Sequence, residues 1–496
     1  MTATSTPETR LGTEPEVENG DTAHIVTRNA GLLALGTIVA RLSTFALAIV
    51  MTRALGPSSY GQYGYAGALA TVVVPIADVG LTSWIVREVA RSREQTERNM
   101  RRLLRLKTVM TLLVLVGVTV PAFLTASGFE VAAVIVLVLL ANLADDWAQF
   151  VFGYFRGREA MGFESGVTAV SAIARTIGGI AIAVTTHRLI AVVIWMLLTS
   201  GAQAVWAARR LREALRERPW ARLKEKLPPL DWRGIAAMSL IGFFATIYLR
   251  ADSVIIGSIY DDRTLGYYTS AYALVGGLQI LPWMIAVAAT PVFARSFEGT
   301  DDLFDASWQE TLRVVLVLAL PFALVTCLLA DPIVHLLFGA RFGPAGPALA
   351  ILVWSSPLWA LNMLLAGLLR GAGRTLSLTA VTGFGALLNI GLNIWAVRTF
   401  GINGAATVTV ATEGAVLIVL VAIAIRQGVV RRPRLPLFGL SLGLAALSGV
   451  AVLGRSWPVI LTALLALAAY LVVVRLTRVI TDRDIATLRR VAGRAG

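Results

Sequence analysis

"YGQYGYAGAL", residues 60–69, is closely matched by "LGYYTSAYAL", residues 265–274. The two segments share a glycine, a tyrosine, an alanine and a leucine in equivalent places: Gly61, Tyr63, Ala66 and Leu69, and Gly266, Tyr268, Ala271 and Leu274. Farther along, Arg156 and Gly157 correspond to Arg370 and Gly371. The offsets of about 205 and about 214 residues are similar, which is typical of an internal repeat with a small insertion.

The composition indicates a membrane protein that crosses the bilayer many times. Of 496 residues, 56% are hydrophobic and 15% are charged, with a mean hydropathy of +0.73. A soluble protein carries about 25% charged residues. The net charge of +14 does not indicate nucleic-acid binding, because the basic residues lie in short segments between apolar runs. One cysteine and three histidines offer neither an internal disulfide nor a convincing metal site.

About fourteen apolar runs are long enough to cross about 30 Å of hydrocarbon, which takes about 20 helical residues. They lie near 29–52, 63–86, 108–127, 131–154, 164–186, 189–208, 234–259, 265–293, 312–338, 346–369, 376–397, 402–425, 436–454 and 457–475. The matched segments are six helices apart, so both copies run in the same direction across the membrane. The predicted fold is therefore an all-α polytopic membrane protein with two pseudo-symmetric six-helix lobes around a central cavity and two extra C-terminal helices.

The predicted topology places both termini in the cytoplasm. About 35 of the 44 Lys and Arg residues then fall on the cytoplasmic side, as the positive-inside rule requires. The basic segments 91–107 and 209–230 are expected to lie as amphipathic helices on the inner leaflet. The predicted organisation is a disordered cytoplasmic tail (1–24), an N-terminal lobe (25–208), a basic linker (209–233), a C-terminal lobe (234–426), accessory helices 13 and 14 (436–475) and a basic cytoplasmic tail (476–496).

No pattern in the sequence points to an enzyme. The chain lacks a phosphate-binding Gly-rich loop with Lys-Ser/Thr and lacks a nucleophile elbow. The predicted outer segments are too short to hold a soluble catalytic domain. We expect no catalytic residue, no metal and no cofactor, although proton or sodium coupling stays open.

The charges inside the predicted spans are the candidate functional residues. A charge near the bilayer centre costs at least about 2.5–3.5 kcal/mol, so it faces the bundle interior, a partner or water. Helical spacings of three, four and seven place Thr, Ser and Asn beside these charges on single helix faces. The predicted substrate-binding residues are Arg41, Arg175, Arg250, Asn389 and Asn393, and the candidate ion-coupling residues are Asp252, Asp78 and Glu413.

Two other interpretations of these polar residues stay open. Buried ion pairs and Asn or Thr contacts also join membrane helices to each other. Asp78, Asp145 and Asp146 fit this role as well as they fit a cavity wall. The tyrosines near residues 60–65 and 260–272 are expected to form an interfacial aromatic belt, with stacking on sugar rings as the alternative.

Longer segments resemble a known family. "RALGPSSYGQYGYAGAL" (53–69) and "RADSVIIGSIYDDRTLGYYTSAYAL" (250–274) resemble the starts of the two halves of polysaccharide (Wzx-type) flippases. These belong to the multidrug/oligosaccharidyl-lipid/polysaccharide exporter superfamily. "LLRGAGRT" (368–375) and "GINGAATVT" (401–409) are similar to later landmarks. The resemblance covers residues from about 25 to about 475.

The resemblance implies a transporter of the cytoplasmic membrane that works by alternating access. It implies movement of a polyprenyl-diphosphate-linked oligosaccharide from the inner to the outer leaflet for cell-surface polysaccharide assembly. In-cavity arginines, here Arg41 and Arg250, would hold the phosphates. Membrane lipids and other polysaccharide-assembly proteins are the implied partners, and nucleic acid is not. The alternatives are an ion-coupled drug or cation antiporter of the same superfamily and a membrane polysaccharide polymerase.

Overall fold

The computed structural model describes residues 19–126, 128–216, 232–279, 301–372, 374–430 and 436–479. Every regular element in these ranges is helical. Much of the predicted N-terminal tail, most of the basic linker, the end of the eighth predicted span and nearly all of the C-terminal tail lie outside the described residues.

Fifteen α-helices and two short 3-10 turns make up the described chain. The helices of the first half are α1 (Asn19–Asp78), α2 (Leu81–Arg91), α3 (Arg93–Thr125), α4 (Phe129–Arg156), α5 (Met161–Thr186) and α6 (Leu189–Arg216). Those of the second half are α7 (Trp232–Ile259), α8 (Asp262–Leu278), α9 (Asp301–Leu328), α10 (Ala330–Phe338), α11 (Ala345–Leu352), α12 (Ser355–Gly371) and α13 (Thr375–Arg426). Helices α14 (Leu437–Leu453) and α15 (Val459–Leu476) follow, and the 3-10 turns are Ala340–Phe342 and Gly454–Ser456.

Ten of the described helical stretches are long and apolar enough to cross a membrane. Two of them each contain a pair of predicted spans. Helix α1 bends at Gly56 (φ 79°) and α13 bends at Gly401 (φ 60°). Glycine tolerates this left-handed backbone without a Cβ clash. The connection predicted between the two spans of each pair is therefore a sharp kink within one long helix. The observed helices are consistent with fourteen passes across the membrane.

Helix α3 corrects the prediction for residues 91–107. Instead of a separate surface helix, this segment is the beginning of a continuous helix from Arg93 to Thr125. Its last basic residue, Lys107, is fully buried and ion-paired with Asp78 and Asp146. The sequence did not reveal this burial, because Asp78 and Asp146 are 29 and 39 residues away from Lys107 along the chain.

The repeat segments pack directly against each other where α1 crosses α8. A Cβ on Gly61 would lie 1.6 Å from the carbonyl oxygen of Asp262, and a Cβ on Gly266 would lie 1.9 Å from that of Pro57. Both backbones therefore approach to a distance that only glycine allows. Gln62 also donates a 2.9 Å hydrogen bond to the Asp262 carboxylate. We call this contact the glycine crossing, and it joins the two halves at one end of the bundle.

Aromatic side chains surround the glycine crossing. Phe342 is fully buried, with its ring centroid 6.4 Å from that of Tyr60 and 6.2 Å from that of Tyr267. Arg53 donates to the carbonyl oxygens of Leu336 and Leu337, at the end of α10. Several of the tyrosines expected in an interfacial belt, such as Tyr60, are instead buried in this contact between halves.

Helices α14 and α15 form a hairpin that packs on α9. The Tyr470 hydroxyl is buried and donates a 3.0 Å hydrogen bond to the carbonyl oxygen of Val317. Gly443 lets the Tyr470 ring lie against α14, because a Cβ there would lie 3.0 Å from the ring. The hairpin is thus attached to the outside of the second half, as expected for an accessory pair.

Gly61→Ala tests the glycine crossing. Alanine usually stabilises a helix relative to glycine by about 1 kcal/mol, but here the added methyl group would collide with the Asp262 carbonyl. We expect a lower apparent melting temperature in detergent for Gly61→Ala and for Gly266→Ala. The matched control is Gly276→Ala on α8, where a Cβ meets nothing within 4 Å. Equal melting temperatures for the crossing variants and the control would contradict this packing.

Candidate functional site in the central cavity

A cavity of about 1010 Å³ lies between the two halves. Its walls come from α1, α4, α5 and α6 of the first half and from α7, α8 and α12 of the second. It extends from Tyr60 and Thr269, near the glycine crossing, to Arg156 and Glu164, where α4 ends and α5 begins. We call this second end the basic end.

Hydroxyl and amide groups cover the first-half wall. They belong to Thr37, Thr44, Thr71, Asn142, Gln149, Ser165, Thr168, Thr176, Ser200 and Gln203. They lie on one face of each helix because they are spaced by about three, four or seven residues. The described second-half wall is formed largely by small and aromatic residues such as Gly276, Gly277, Tyr272 and Trp359.

Arg175 lies on the first-half wall and is held by two neighbours. Its Nη2 donates a 2.8 Å hydrogen bond to Ser200 Oγ and forms a 3.0 Å ion pair with Asp145. The Arg175 and Asp145 side chains are 28% and 31% exposed. The sequence placed all three residues within spans, but it did not pair Arg175 with Asp145, because they are 30 residues apart on different helices.

Arg250 reaches the same cavity from α7. Its guanidinium carbon lies 4.6 Å from the centroid of the Tyr272 ring, within the range of a cation–π contact. The Tyr272 hydroxyl in turn donates to the carbonyl oxygen of Leu249. Arg41 is half-buried on α1 and also lines the cavity. The structure thus brings Arg41, Arg175 and Arg250 together, as the sequence analysis expected of their positions.

Sequence reasoning missed Arg156 as a cavity residue. Its Nε and Nη2 each form a 2.7 Å contact with a different carboxylate oxygen of Glu164. Arg156 also donates to Gln149, and all three residues line the cavity. The repeated Arg-Gly dipeptide was the available signal, since it recurs at 370–371, but it did not show that Arg156 faces inward.

The described cavity wall carries an excess of positive charge. It has four arginines, Arg41, Arg156, Arg175 and Arg250, and two carboxylates, Asp145 and Glu164. The excess of two positive charges in a partly desolvated space favours an anionic ligand over a cationic one. The predicted spans also contain Asp78, Asp146, Asp252 and Glu413, but these four carboxylates are not part of the described cavity wall.

Asp252 is buried inside the second half, with 3% of its surface exposed. The Tyr268 hydroxyl donates to it at 2.5 Å, and the backbone N–H and hydroxyl of Ser253 lie within 3.2 Å. Thr409 Oγ1 is 3.5 Å away. Arg250, two residues earlier, points instead to the cavity, as their spacing on a helix predicts.

Glu413 occupies a second buried position in the same half. Asn362 donates from its side-chain amide to the Glu413 carboxylate at 2.6 Å and to the Glu413 carbonyl at 3.0 Å. Among the residues that the structure describes, no arginine or lysine forms an ion pair with Asp252 or Glu413. The hydrogen bonds described for both carboxyl groups therefore come from neutral donors.

Asn389 and Asn393 differ from the cavity positions expected for them. Both are buried in α13, where the Asn393 amide donates to the side-chain oxygen of Asn389 at 3.0 Å. Asn389 lies 3.5 Å from Thr412 Oγ1, across the bend at Gly401. Their shared helix face was predicted correctly, but it faces the other arm of α13 and not the cavity.

Asp78 belongs to a buried charge cluster in the first half. Lys107 Nζ lies 2.8 Å from Asp78 and 2.5 Å from Asp146. Asp78 also accepts a 2.6 Å hydrogen bond from the Thr82 hydroxyl, across the break between α1 and α2. Because Lys107 on α3 contacts Asp78 on α1 and Asp146 on α4, the cluster is a structural joint between these three helices.

Lys107→Met tests this joint. Removing the cation leaves two carboxylates without their partner, and breaking a buried ion pair in this way costs about 3–5 kcal/mol. We expect a large fall in the apparent melting temperature in detergent, partly restored when Asp78→Asn and Asp146→Asn are added. Arg105→Met is the control, because Arg105 is exposed on the same helix. A stable Lys107→Met protein would contradict the structural role.

The sequence profile of the family described as polysaccharide biosynthesis protein matches residues 26–297, more than half of the chain. A second profile, MatE, matches residues 237–395. The probable low-salt glycan biosynthesis flippase Agl15 of Haloferax volcanii is 21% identical over 72% of this chain and 74% of its own length. The EPS I polysaccharide export inner membrane protein EpsE of Ralstonia nicotianae is 22% identical over 71% and 83%.

An uncharacterised membrane protein of Methanocaldococcus jannaschii, MJ1068, is 27% identical over 32% of this chain, and the match spans about a third (34%) of that protein's length. Among solved structures, the lipid II flippase MurJ in an inward closed conformation superposes with a TM-score of 0.69 at 14% identity, covering 89% of this chain and 97% of that one.

A multidrug resistance MATE family transporter of the MOP superfamily, in an inward-facing conformation, gives a TM-score of 0.57 at 16% identity, covering 80% and 98%. These structural likenesses give the fold. The profile match over more than half of the chain shows that the chain belongs to the family described as polysaccharide biosynthesis protein.

Proposed function

We propose that the protein moves a polyprenyl-diphosphate-linked oligosaccharide across the membrane, from the inner to the outer leaflet, for cell-surface polysaccharide assembly. The observation that carries this proposal is the central cavity with its excess of positive charge, contributed by arginines of both halves. A diphosphate is the part of such a lipid that these arginines would bind.

Arginine suits this role for a physical reason. Its planar guanidinium presents paired N–H groups that bind phosphate oxygens bidentately, and its charge persists at any physiological pH. Arg250 is preorganised by the Tyr272 ring, and Arg175 is preorganised by Ser200. Less side-chain entropy is then lost when the ligand binds.

The first-half wall is suited to a saccharide. Its hydroxyl and amide groups can exchange hydrogen bonds with sugar hydroxyls. On the second-half wall, Trp359 and Tyr272 offer flat apolar surface for sugar rings. The volume of about 1010 Å³ is at the upper end of the ligand-pocket range of about 300–1,000 Å³. This space supports a headgroup of several sugars.

The charge distribution supports the proposed direction of transport. The positive-inside rule places the basic end of the bundle in the cytoplasm and the glycine crossing at the outer side. With the crossing packed, the substrate would enter from the inner leaflet. Separation of Gly61 from Gly266, with approach of the halves at the basic end, would then expose the substrate to the outer leaflet.

We also propose that Asp252 and Glu413 couple transport to a proton or sodium gradient. Both carboxyl groups are buried among neutral donors in the second half, so a bound proton or cation would offset the cost of burying a negative charge. Asp78 is a poorer candidate, because Lys107 already neutralises it.

The relatives support the substrate class. The names of Agl15 and EpsE assign them to glycan biosynthesis and polysaccharide export. A drug or cation antiporter is the second candidate, because the MatE profile covers most of the second half. The two differ in ligand charge, so wild-type vesicles that export tetraphenylphosphonium against a gradient, but show no effect on lipid-linked glycans, would favour the antiporter.

Arg250→Ala is expected to abolish flipping without unfolding the protein. In a deletion strain that expresses the variant, polyprenyl-diphosphate glycans should accumulate facing the cytosol, as measured by mass spectrometry of extracted lipids with and without surface labelling. Arg41→Ala should behave similarly, and Arg250→Lys should restore transport only in part. Arg398→Ala, at an exposed position on α13, is the control. Normal surface glycan in both the Arg41→Ala and Arg250→Ala strains would refute the cavity assignment.

Asp252→Asn and Glu413→Gln are expected to remove the dependence of transport on the coupling ion. In proteoliposomes loaded with the glycolipid that accumulates in the deletion strain, the rate should no longer rise when a sodium or proton gradient is imposed. Glu130→Gln, at an exposed position at the start of α4, is the control. If both buried variants keep the gradient dependence of the wild type, the coupling assignment fails.

A further inference from the structure

Two arginine–carboxylate pairs lie on the cavity wall, and they differ in geometry. Glu164 contacts Arg156 through both carboxylate oxygens, at 2.7 Å each, and its side chain is only 5% exposed. This pair joins the end of α4 to the beginning of α5 across the turn at residues 157–160. Two parallel hydrogen bonds with little exposure are typical of a fixed structural brace.

The contact between Asp145 and Arg175 is weaker and can be replaced by a contact between Arg175 and a ligand. One oxygen of Asp145 contacts one nitrogen of Arg175, at 3.0 Å, and both side chains are about one-third exposed to the cavity. Within the described part of the chain, Asp145 has no other hydrogen bond. A single, partly hydrated contact of this kind is readily given up to a stronger anion.

Arg175 does not depend on Asp145 for its position. Ser200 Oγ, whose residue is fully buried, accepts a 2.8 Å hydrogen bond from the same Nη2. The Arg175 Nε–H is buried and has no partner among the described residues, and Nη1 forms no hydrogen bond there. Nη1 can therefore bind one phosphate oxygen, and a second oxygen can take the Nη2 contact that Asp145 gives up.

We propose that Asp145 is a release residue, which competes with the substrate's diphosphate for Arg175 and keeps binding reversible. This inference rests on the flippase function proposed above. A transported ligand must bind well enough to enter and weakly enough to leave. When phosphate contacts Arg175, the Asp145 carboxylate repels it, and when phosphate departs, Asp145 again neutralises the arginine.

Arg175 and Arg250 therefore differ in whether a carboxylate competes with the ligand for the guanidinium. Arg250 is held by an aromatic ring, which offers no negative charge to compete with the ligand. Arg175, in contrast, already has an anionic partner, Asp145. Loss of Asp145 should therefore tighten binding, whereas loss of Arg250 should weaken it, although both residues lie on the same cavity.

The test uses the purified full-length protein in detergent with farnesyl diphosphate as a soluble prenyl-diphosphate probe and farnesol as the neutral control. Asp145→Asn should lower the Kd for farnesyl diphosphate about tenfold, the effect of removing one competing charge inside a cavity. The Kd for farnesol should not change. Asp145→Ser provides a second variant without the carboxylate, and thermal unfolding checks that each variant is folded.

Glu130→Gln is the matched control, because it removes a carboxylate at an exposed position of the same helix as Asp145, outside the cavity lining. It should leave the Kd for farnesyl diphosphate unchanged. If Arg250→Ala weakens binding but neither Asp145 variant tightens it, the release role is wrong and the proposed function stands. If the wild type does not distinguish farnesyl diphosphate from farnesol, both the release role and the proposed function are overturned.

Discussion

The approach of two glycine backbones, Gly61 on α1 and Gly266 on α8, is the constraint on which the remaining architecture depends. The two halves can pack at this end because no side chain separates them. Away from it, larger residues such as Phe45 and Tyr272 lie between the halves, and the space widens into the cavity. The repeated segments thus form the contact that closes one end of the space between the halves, and the polar cavity begins next to it.

Buried charge follows a division between the halves. In the first half, every carboxylate described above has a basic partner: Asp78 and Asp146 share Lys107, Asp145 contacts Arg175, and Glu164 contacts Arg156. In the second half, Asp252 and Glu413 contact neutral donors. Since an unpaired buried carboxylate is costly, this difference supports the ion-coupling role proposed for Asp252 and Glu413.

The sequence predicted the fold class well, because apolar length and the repeat depend on local composition. It also predicted that Arg41, Arg175 and Arg250 line one cavity, since helical spacing and a two-lobe arrangement are enough for that inference. It failed where partners are distant in sequence. Lys107 was expected on the membrane surface, but it is buried in ion pairs with Asp78 and Asp146. Asn389 was assigned to the cavity, but the bend at Gly401 turns its helix face toward the other arm of α13. Tyr60 was expected at the membrane interface, but the other half covers it.

The account's central claim is that arginines of both halves bind one diphosphate between them. A cryo-electron microscopy structure with a bound prenyl diphosphate would test it most directly. The account predicts density for the two phosphates within the cavity, contacting Arg250 from the second half and Arg175 or Arg41 from the first. A well-resolved diphosphate bound outside this chamber, with these guanidinium groups untouched, would contradict it.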